Sequence, residues 1–306
     1  MLRRNGSHGA DVEILDRAGD PAESTYPTEV VTCRIGDGPA VQLFCKYSRP
    51  RRCQLPLWHA AYGHRHGVAY EARVYEHVLE PLAMTTARLF GTYYGPNGRA
   101  WVVLEHLEGR IRATKMPSGT EQAAAWLGQF HARNETRLAD PAIRFLCTYT
   151  ADFYRGWARR TLRYAQRFRR DCRPIAALCE RFDAAIAVLL EPPLTIIHSE
   201  YYPANVLYLR DAVYPVDWES TAIAAGEIDL VQFTENWGAA MIRRCEAAYA
   251  RARWPSRGTD AAFQRRLAAA RLFTLLKWTG SPRSWKSRDS REHYLNCLIA
   301  ESRRRC

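Results

Sequence analysis

The sequence predicts an α+β chain in two lobes, an N-terminal antiparallel sheet with one helix and a mostly helical C-terminal lobe. Three observations predict it. Between residues 26 and 107, β-rich runs bounded by Gly, Pro and Asn turns surround a single helical stretch. Beyond Glu108-Gly109 the apolar positions recur at helical spacing. In the second half, one polar loop lies between short apolar runs, an arrangement that gathers charged groups at the end of buried strands.

In chain order, residues 1–24 are polar, carry Gly6, Gly9 and Gly19, and read as a loose end before the first strand. Residues 29–35 and 40–46 form a hairpin across Gly36-Asp37-Gly38-Pro39. The segment 48–67 reads as a surface loop; His59, His64 and His66 lie there, but Cys53 is the one further ligand type nearby, which argues against a metal site. A helix follows over 68–79, with Tyr70, Val74 and Val78 on one face and Glu71 near its start. Residues 86–94 and 100–107 make a second hairpin across Pro96-Asn97-Gly98. The change of periodicity sets the lobe boundary at 107, giving lobes of 1–107 and 108–306.

Ser118-Gly-Thr-Glu121 is a capping-box pattern, behind which Leu127, Phe130 and His131 share a helical face. Trp157, Thr161, Tyr164 and Phe168 form a core stripe on a second helix whose other faces are rich in arginine. A third helix spans 175–190 and stops at Pro192-Pro193. Strands are expected at 193–197, 206–209 and 212–216, and amphipathic helices over 260–278 and 292–302.

The composition, 47% hydrophobic and 25% charged over 306 residues, is that of a packed globular protein. There is no apolar run long enough to span a membrane and no apolar leader, so a cytoplasmic protein without a membrane partner is expected. The nine cysteines are odd in number and form no C-x-x-C pair, which suits reduced, apolar side chains. The net charge of +12 is almost wholly arginine, because Lys46, Lys115, Lys277 and Lys286 are the lysines among 44 basic residues. Such a surface favours anionic partners, of which nucleic acid is disfavoured here and nucleotides or acidic small molecules are others. Oligomeric state is not legible.

The chemistry concentrates in His198-Ser-Glu200-Tyr-Tyr-Pro-Ala-Asn205 and in Val213-Tyr-Pro-Val-Asp217-Trp-Glu. A loop of the form His-x-carboxylate-x4-Asn between apolar strands, followed by a strand that ends in Asp, supplies one group to orient an attacking hydroxyl and two oxygen ligands for magnesium. Glu200 stands where this pattern normally has Asp.

These blocks resemble the aminoglycoside phosphotransferase and choline kinase-like family, and the resemblance covers most of the chain. It implies a bilobal protein-kinase-like fold, with a nucleotide-binding N-terminal lobe and a catalytic, acceptor-binding C-terminal lobe. It implies that His198 holds the catalytic loop together, that Glu200 occupies the catalytic acid's place, that Asn205 and Asp217 bind metal, and that Asp229 in Gly226-Glu-Ile-Asp-Leu230 braces the loop. Lys46 stands where such folds place the lysine that holds the phosphates, with Glu71 as its partner. The backbone around Glu105, His106 and Leu107 matches the hinge that bonds the adenine edge. The phosphate-covering loop matches least: Ser24 and Thr25 are either phosphate-bonding hydroxyls or part of a solvated turn.

The implied activity is transfer of phosphate from ATP, or another nucleoside triphosphate, with Mg2+, to a hydroxyl of a small molecule such as an antibiotic, sugar or amino alcohol. The basic surface favours a neutral or anionic acceptor. The alternative is a catalytically silent, kinase-like nucleotide-binding protein, since Glu200 carries its carboxylate one methylene further out than Asp.

Overall fold

A computed structural model describes residues 11–19, 26–48, 65–168, 171–235, 237–281 and 287–304. They fall into two compact units, the first drawn from 1–55, 65–119 and 203–220 and the second from the rest. The residues expected to make the loop at 49–64, including His59 and His64, lie outside the described residues, as do Ser24 and Thr25.

The first unit is built on a five-stranded antiparallel sheet of β1 (Val12–Gly19), β2 (Thr28–Ile35), β3 (Ala40–Tyr47), β4 (Leu89–Tyr94) and β5 (Ala100–Glu105), in the order β1-β2-β3-β5-β4. Side chains alternate across it. Val31, Cys33, Leu43, Cys45 and Val103 form a buried cluster on one face. Lys46, directly opposite Val102, therefore points to the other, where it meets helix α1 (Val68–Val74). The helix expected over 68–79 is α1 continued by a π-helical turn, Tyr75–Leu79.

Strand β1 corrects the expectation of a loose N-terminal end. Every residue of β1 is exposed, so the strand has no buried face whose alternation could be read from sequence. Its ladder with β2 and the ion pairs Arg17–Glu29 at 2.7 Å and Arg34–Glu13 at 2.6 Å hold it at the sheet edge. The same unit contains a small sheet, order β10-β9-β6, of β6 (Ile111–Arg112), β9 (Val206–Leu209) and β10 (Ala212–Pro215). The turn at Arg210-Asp211 has φ of 48° and 60°, the left-handed pair of a two-residue hairpin whose twist matches its strands.

The second unit is helical: α2 (Gly119–Glu135), α3 (Ala151–Phe168), α4 (Arg173–Glu180), α5 (Phe182–Leu190), α6 (Glu227–Thr234), α7 (Ala239–Arg253), α8 (Ala261–Thr279) and α9 (Arg288–Arg304). A three-stranded sheet joins them: β7 (Cys147–Thr148), β8 (Thr195–Ile197) and β11 (Ala222–Ala224), in the order β7-β11-β8. The expected helix over 175–190 is two helices, broken at Arg181, where ψ rises to −2°. The stripe on α3 is core at Trp157 and Thr161 but ends in an exposed Phe168.

Helix α8 starts at Asp260, whose Oδ1 accepts the Phe263 N–H at 2.8 Å. It packs against α3, α5, α6 and α9 and buries Phe263, Leu267, Ala270, Phe273 and Leu276. It also buries Arg266 and Lys277, so it is a central helix rather than the amphipathic surface helix its pattern predicts. No helix among the described residues is long and apolar enough to cross a membrane.

Helices α2 and α7 approach closely at Gly128, where an added Cβ would sit 2.5 Å from the Tyr249 carbonyl oxygen and 3.0 Å from the Ala252 Cβ. Backbone cannot yield as a side-chain tip can. Gly128→Ala is expected to cost about 1–3 kcal/mol through overpacking, read as a lower denaturant midpoint with unchanged slope. An unchanged midpoint would mean that the two helices part freely.

Candidate active site

In the first unit the site is organised around a buried ammonium. Lys46 Nζ lies 2.7 Å from Glu71 Oε2 and 2.6 Å from Asp217 Oδ1. Its ring neighbour Tyr26 has its centroid 5.7 Å away. Burial opposes the charge on Lys46, but the carboxylates of Asp217, Glu71 and Glu219 outweigh it and hold the ammonium protonated well above the ordinary lysine range. Glu71 is also tied to the chain beyond Asp217, its Oε1 accepting the Trp218 N–H at 3.2 Å.

The β9–β10 hairpin presents the two expected metal ligands. The Val216 N–H donates to the Asn205 carbonyl at 2.9 Å, so Asn205 and Asp217 sit at the same end of the hairpin. Asp217 has φ of 69°, a strained conformation for a residue with a Cβ, and its side chain is 36% exposed while Lys46 and Glu71 are buried. The carboxylate is thus offered outward from a fixed backbone. Glu219 has a ligand oxygen within 4.8 Å of one from Asp217. Burial, with Asp217 and Glu71 adding to it against the pull of Lys46 and Arg65, pushes Glu219 up to about 8. All these donors are oxygens, which suits a hard divalent cation.

At the expected hinge, the Glu105 N–H donates to the Arg88 carbonyl at 2.8 Å and the His106 N–H to the Gln42 carbonyl at 3.3 Å. The Leu107 carbonyl accepts from the Arg110 side chain at 3.2 Å.

In the second unit the loop after β8 carries His198, Ser199 and Glu200, all buried. Asp229, from α6, accepts two of its backbone N–H groups: His198 N–H on Oδ2 at 2.6 Å and Ser199 N–H on Oδ1 at 2.8 Å. The Glu200 N–H donates to His198 Nδ1 at 3.3 Å, and the Tyr202 N–H to the Glu200 carbonyl at 2.7 Å. One carboxylate, one imidazole and the loop's own backbone thus each hold part of its shape.

His131, placed by sequence only on the core face of α2, backs this brace. Its Nε2 is 3.4 Å from Asp229 Oδ2 and its Nδ1 2.9 Å from the Tyr249 hydroxyl. Around it, Arg253 joins Glu135 at 2.6 Å and Glu227 at 3.3 Å, and Arg266 joins Glu227 at 3.1 Å. Gly226, the residue before α6, leaves room for all of this, since a Cβ there would lie 2.6 Å from both Arg253 Nη1 and His131 Nδ1.

Sequence reading gave no role to Glu219, His131 or Lys277. Glu219 had a signal, two residues beyond Asp217. Lys277 had another, a lysine in a chain that otherwise uses arginine. His131 had none, because only packing joins α2 to Asp229.

Burial lowers the pKa of His131, outweighing the Asp229 hydrogen bond that raises it. Its folded pKa lies below its unfolded value of about 6.5, so its contribution is full above that pH and lost as pH falls through the folded pKa. Denaturant midpoints measured at about pH 7.5 and about pH 5.5 should drop more for the parent than for His131→Gln. Equal drops would remove His131 as a source of acid sensitivity.

The profile of the phosphotransferase enzyme family matches residues 55–274. No curated protein sequence matches the chain. Among solved structures, a variant of aminoglycoside 2'-phosphotransferase-IIIa in complex with GDP aligns with TM-score 0.63 at 13% identity, over 96% of this chain and 93% of that one. Choline kinase LicA from Streptococcus pneumoniae aligns with TM-score 0.61 at 12% identity, over 94% of each chain. The amicoumacin kinase hAmiN, in complex with AMP-PNP, Ca2+ and Ami, aligns with TM-score 0.59 at 12% identity, over 95% of this chain and 88% of that one. At such identities the likeness is one of fold, which is protein-kinase-like. The family match covers most of the chain and includes the blocks around Glu71, His198–Asn205, Asp217 and Asp229, and the chain belongs to the phosphotransferase enzyme family.

Proposed function

We propose that the chain transfers the γ-phosphoryl group of ATP, or of another nucleoside triphosphate, to a hydroxyl of a small molecule, with Mg2+ as the divalent cation. The observation that carries this reading is the Lys46 ammonium buried among Glu71, Asp217 and Glu219, beside the outward-facing oxygens of Asp217. Three carboxylates around one lysine favour further positive charge, and Asn205 and Asp217, with Glu219 as a third oxygen donor, are the residues that would hold it. Bound Mg2+ would neutralise charge developing on the transferred phosphoryl group.

In this reading Lys46 holds the phosphates, and Glu71 keeps its ammonium in place. With the Glu105 and His106 N–H groups engaged, the Leu107 N–H is the hinge donor for a purine edge. Glu200 orients the acceptor hydroxyl and takes its proton, His198 and Asp229 fixing the loop that carries it. Ser24 and Thr25 remain candidates for covering the phosphates. The related structures hold GDP or AMP-PNP, which supports a nucleotide but leaves the base open. Their acceptors, an aminoglycoside, choline and amicoumacin, support small hydroxylated substrates as a class, and the net charge of +12 favours a neutral or anionic member of it.

The test is a screen of hydroxylated antibiotics, sugars and amino alcohols for MgATP-dependent phosphorylation, repeated on two variants. Glu200→Gln should lower turnover by about 10²–10⁴-fold while nucleotide affinity stays within about twofold. Lys46→Ala should weaken nucleotide binding and turnover together, since it leaves Glu71 and Asp217 uncompensated; full activity in it would take Lys46 out of the site. Magnesium-dependent nucleotide binding without phosphorylation of any acceptor would instead assign the chain as a silent nucleotide binder, with the lengthened Glu200 side chain as the reason.

A further inference from the structure

We propose that Lys277, reaching from α8, is a positioning residue that sets the direction of Glu200 by clamping the peptide between Ser199 and Glu200. Lys277 Nζ lies 3.0 Å from the Ser199 carbonyl oxygen and 3.4 Å from its Oγ, with Lys277 only 3% exposed. The Tyr149 hydroxyl bonds the same Oγ. Asp229 takes the Ser199 N–H. Every polar atom of Ser199 is thereby held by another part of the unit.

Ser199 needs this because its φ is 70°. A residue with a Cβ in the left-handed region costs about 1–3 kcal/mol, and the strain persists only where the surroundings over-determine it. Here they do so at both ends of one peptide plane. Lys277 holds the carbonyl of that plane, and His198 Nδ1 accepts its N–H, which belongs to Glu200. A peptide plane pinned at both ends fixes the N–Cα bond of the residue that follows, and the Tyr202 N–H on the Glu200 carbonyl restrains rotation about it, so the Cα–Cβ direction is set. For a glutamate, with one more rotatable bond than aspartate, the starting direction matters all the more. A short ammonium on a long stem also suits the task, since a carbonyl oxygen needs a point donor rather than a guanidinium fork.

The inference rests on Glu200 being the residue that orients the attacking hydroxyl, and its test separates the two. Lys277→Met keeps length and burial but removes the donor. Two quantities are read: amide hydrogen exchange of the peptide spanning residues 198–202, and steady-state MgATP hydrolysis with water standing in for the acceptor hydroxyl. Exchange in that peptide should rise about tenfold with other peptides unchanged. The kcat should fall by about 10²-fold while KM for MgATP stays within about twofold, because a displaced general base costs rate rather than nucleotide binding.

The decisive variant adds Ser199→Gly, since glycine adopts φ of 70° without a clamp. Relative to Ser199→Gly alone, the double variant should lose less than about threefold in kcat, and its exchange should match that of the single glycine variant. Equal losses in both backgrounds, or unchanged exchange in Lys277→Met, would overturn the clamp. If the parent phosphorylates no acceptor in the screen and does not hydrolyse MgATP, the phosphotransfer reading fails while exchange still decides the clamp. If Lys277→Met does not fold, Tyr149→Phe removes only the hydroxyl bond to Ser199 and should raise exchange in the same peptide to a smaller degree; no rise would count against the clamp.

Discussion

The constraint on which the first unit depends is a lysine ammonium that has left water. Taking it out of solvent is unfavourable by several kcal/mol unless carboxylates replace the lost hydration. Lys46 gains Glu71 from α1 and Asp217 from the end of β10, so one charge ties sheet, helix and hairpin together. The geometry of the hairpin end follows from this. Asp217 cannot relax out of its left-handed conformation without giving up the ammonium, and Trp218 cannot turn without giving up Glu71. A site assembled this way is preorganised before any ligand arrives, and its excess of carboxylate is the part left for a cation to balance.

The second unit solves a related problem with the opposite sign. Asp229 is a buried carboxylate, and backbone N–H groups rather than a cation satisfy it. Hydrogen bonds to a charged acceptor are stronger than neutral ones, so these two anchor the start of the loop at residues 198–202 to a single side chain. Behind it, the Arg253, Arg266, Glu227 and Glu135 pairs form a polar layer within a helical core. Such a layer is less forgiving of substitution than an apolar one, because each partner lost leaves a buried charge alone.

Much of this was legible in the residues, and the failures have physical causes. The hairpins 29–46 and 86–107, the helix at 68–79 and the strands around His198 and Asp217 showed because each buries one face and is bounded by turn residues. The protein-kinase-like fold followed from the resemblance of those blocks, in their order, to the phosphotransferase family. Strand β1 did not show because it buries nothing. The break at Arg181 is a change in one ψ angle, without Gly or Pro to mark it. Helix α8 read as amphipathic, whereas the arginine and lysine on its polar side point into the core, Arg266 to Glu227 and Lys277 to the loop. Pattern alone cannot tell a solvated cation from a paired one. For the site, residue types at fixed spacing were readable, while His131 and Lys277 come from elements distant in sequence.

The scarcity of lysine has one more consequence. Of the four lysines, Lys46 and Lys277 are buried in polar contacts, at 4% and 3% exposure, whereas Lys115 is exposed. Amine-acylating reagents ignore guanidinium groups and need a deprotonated, reachable amine. Lys46 and Lys277 should thus stay inert to them while the exposed Lys115 reacts, and any acyl group found on Lys46 or Lys277 dates an opening of its own unit. The protein carries, in effect, two built-in chemical clocks, one for each half of its machinery.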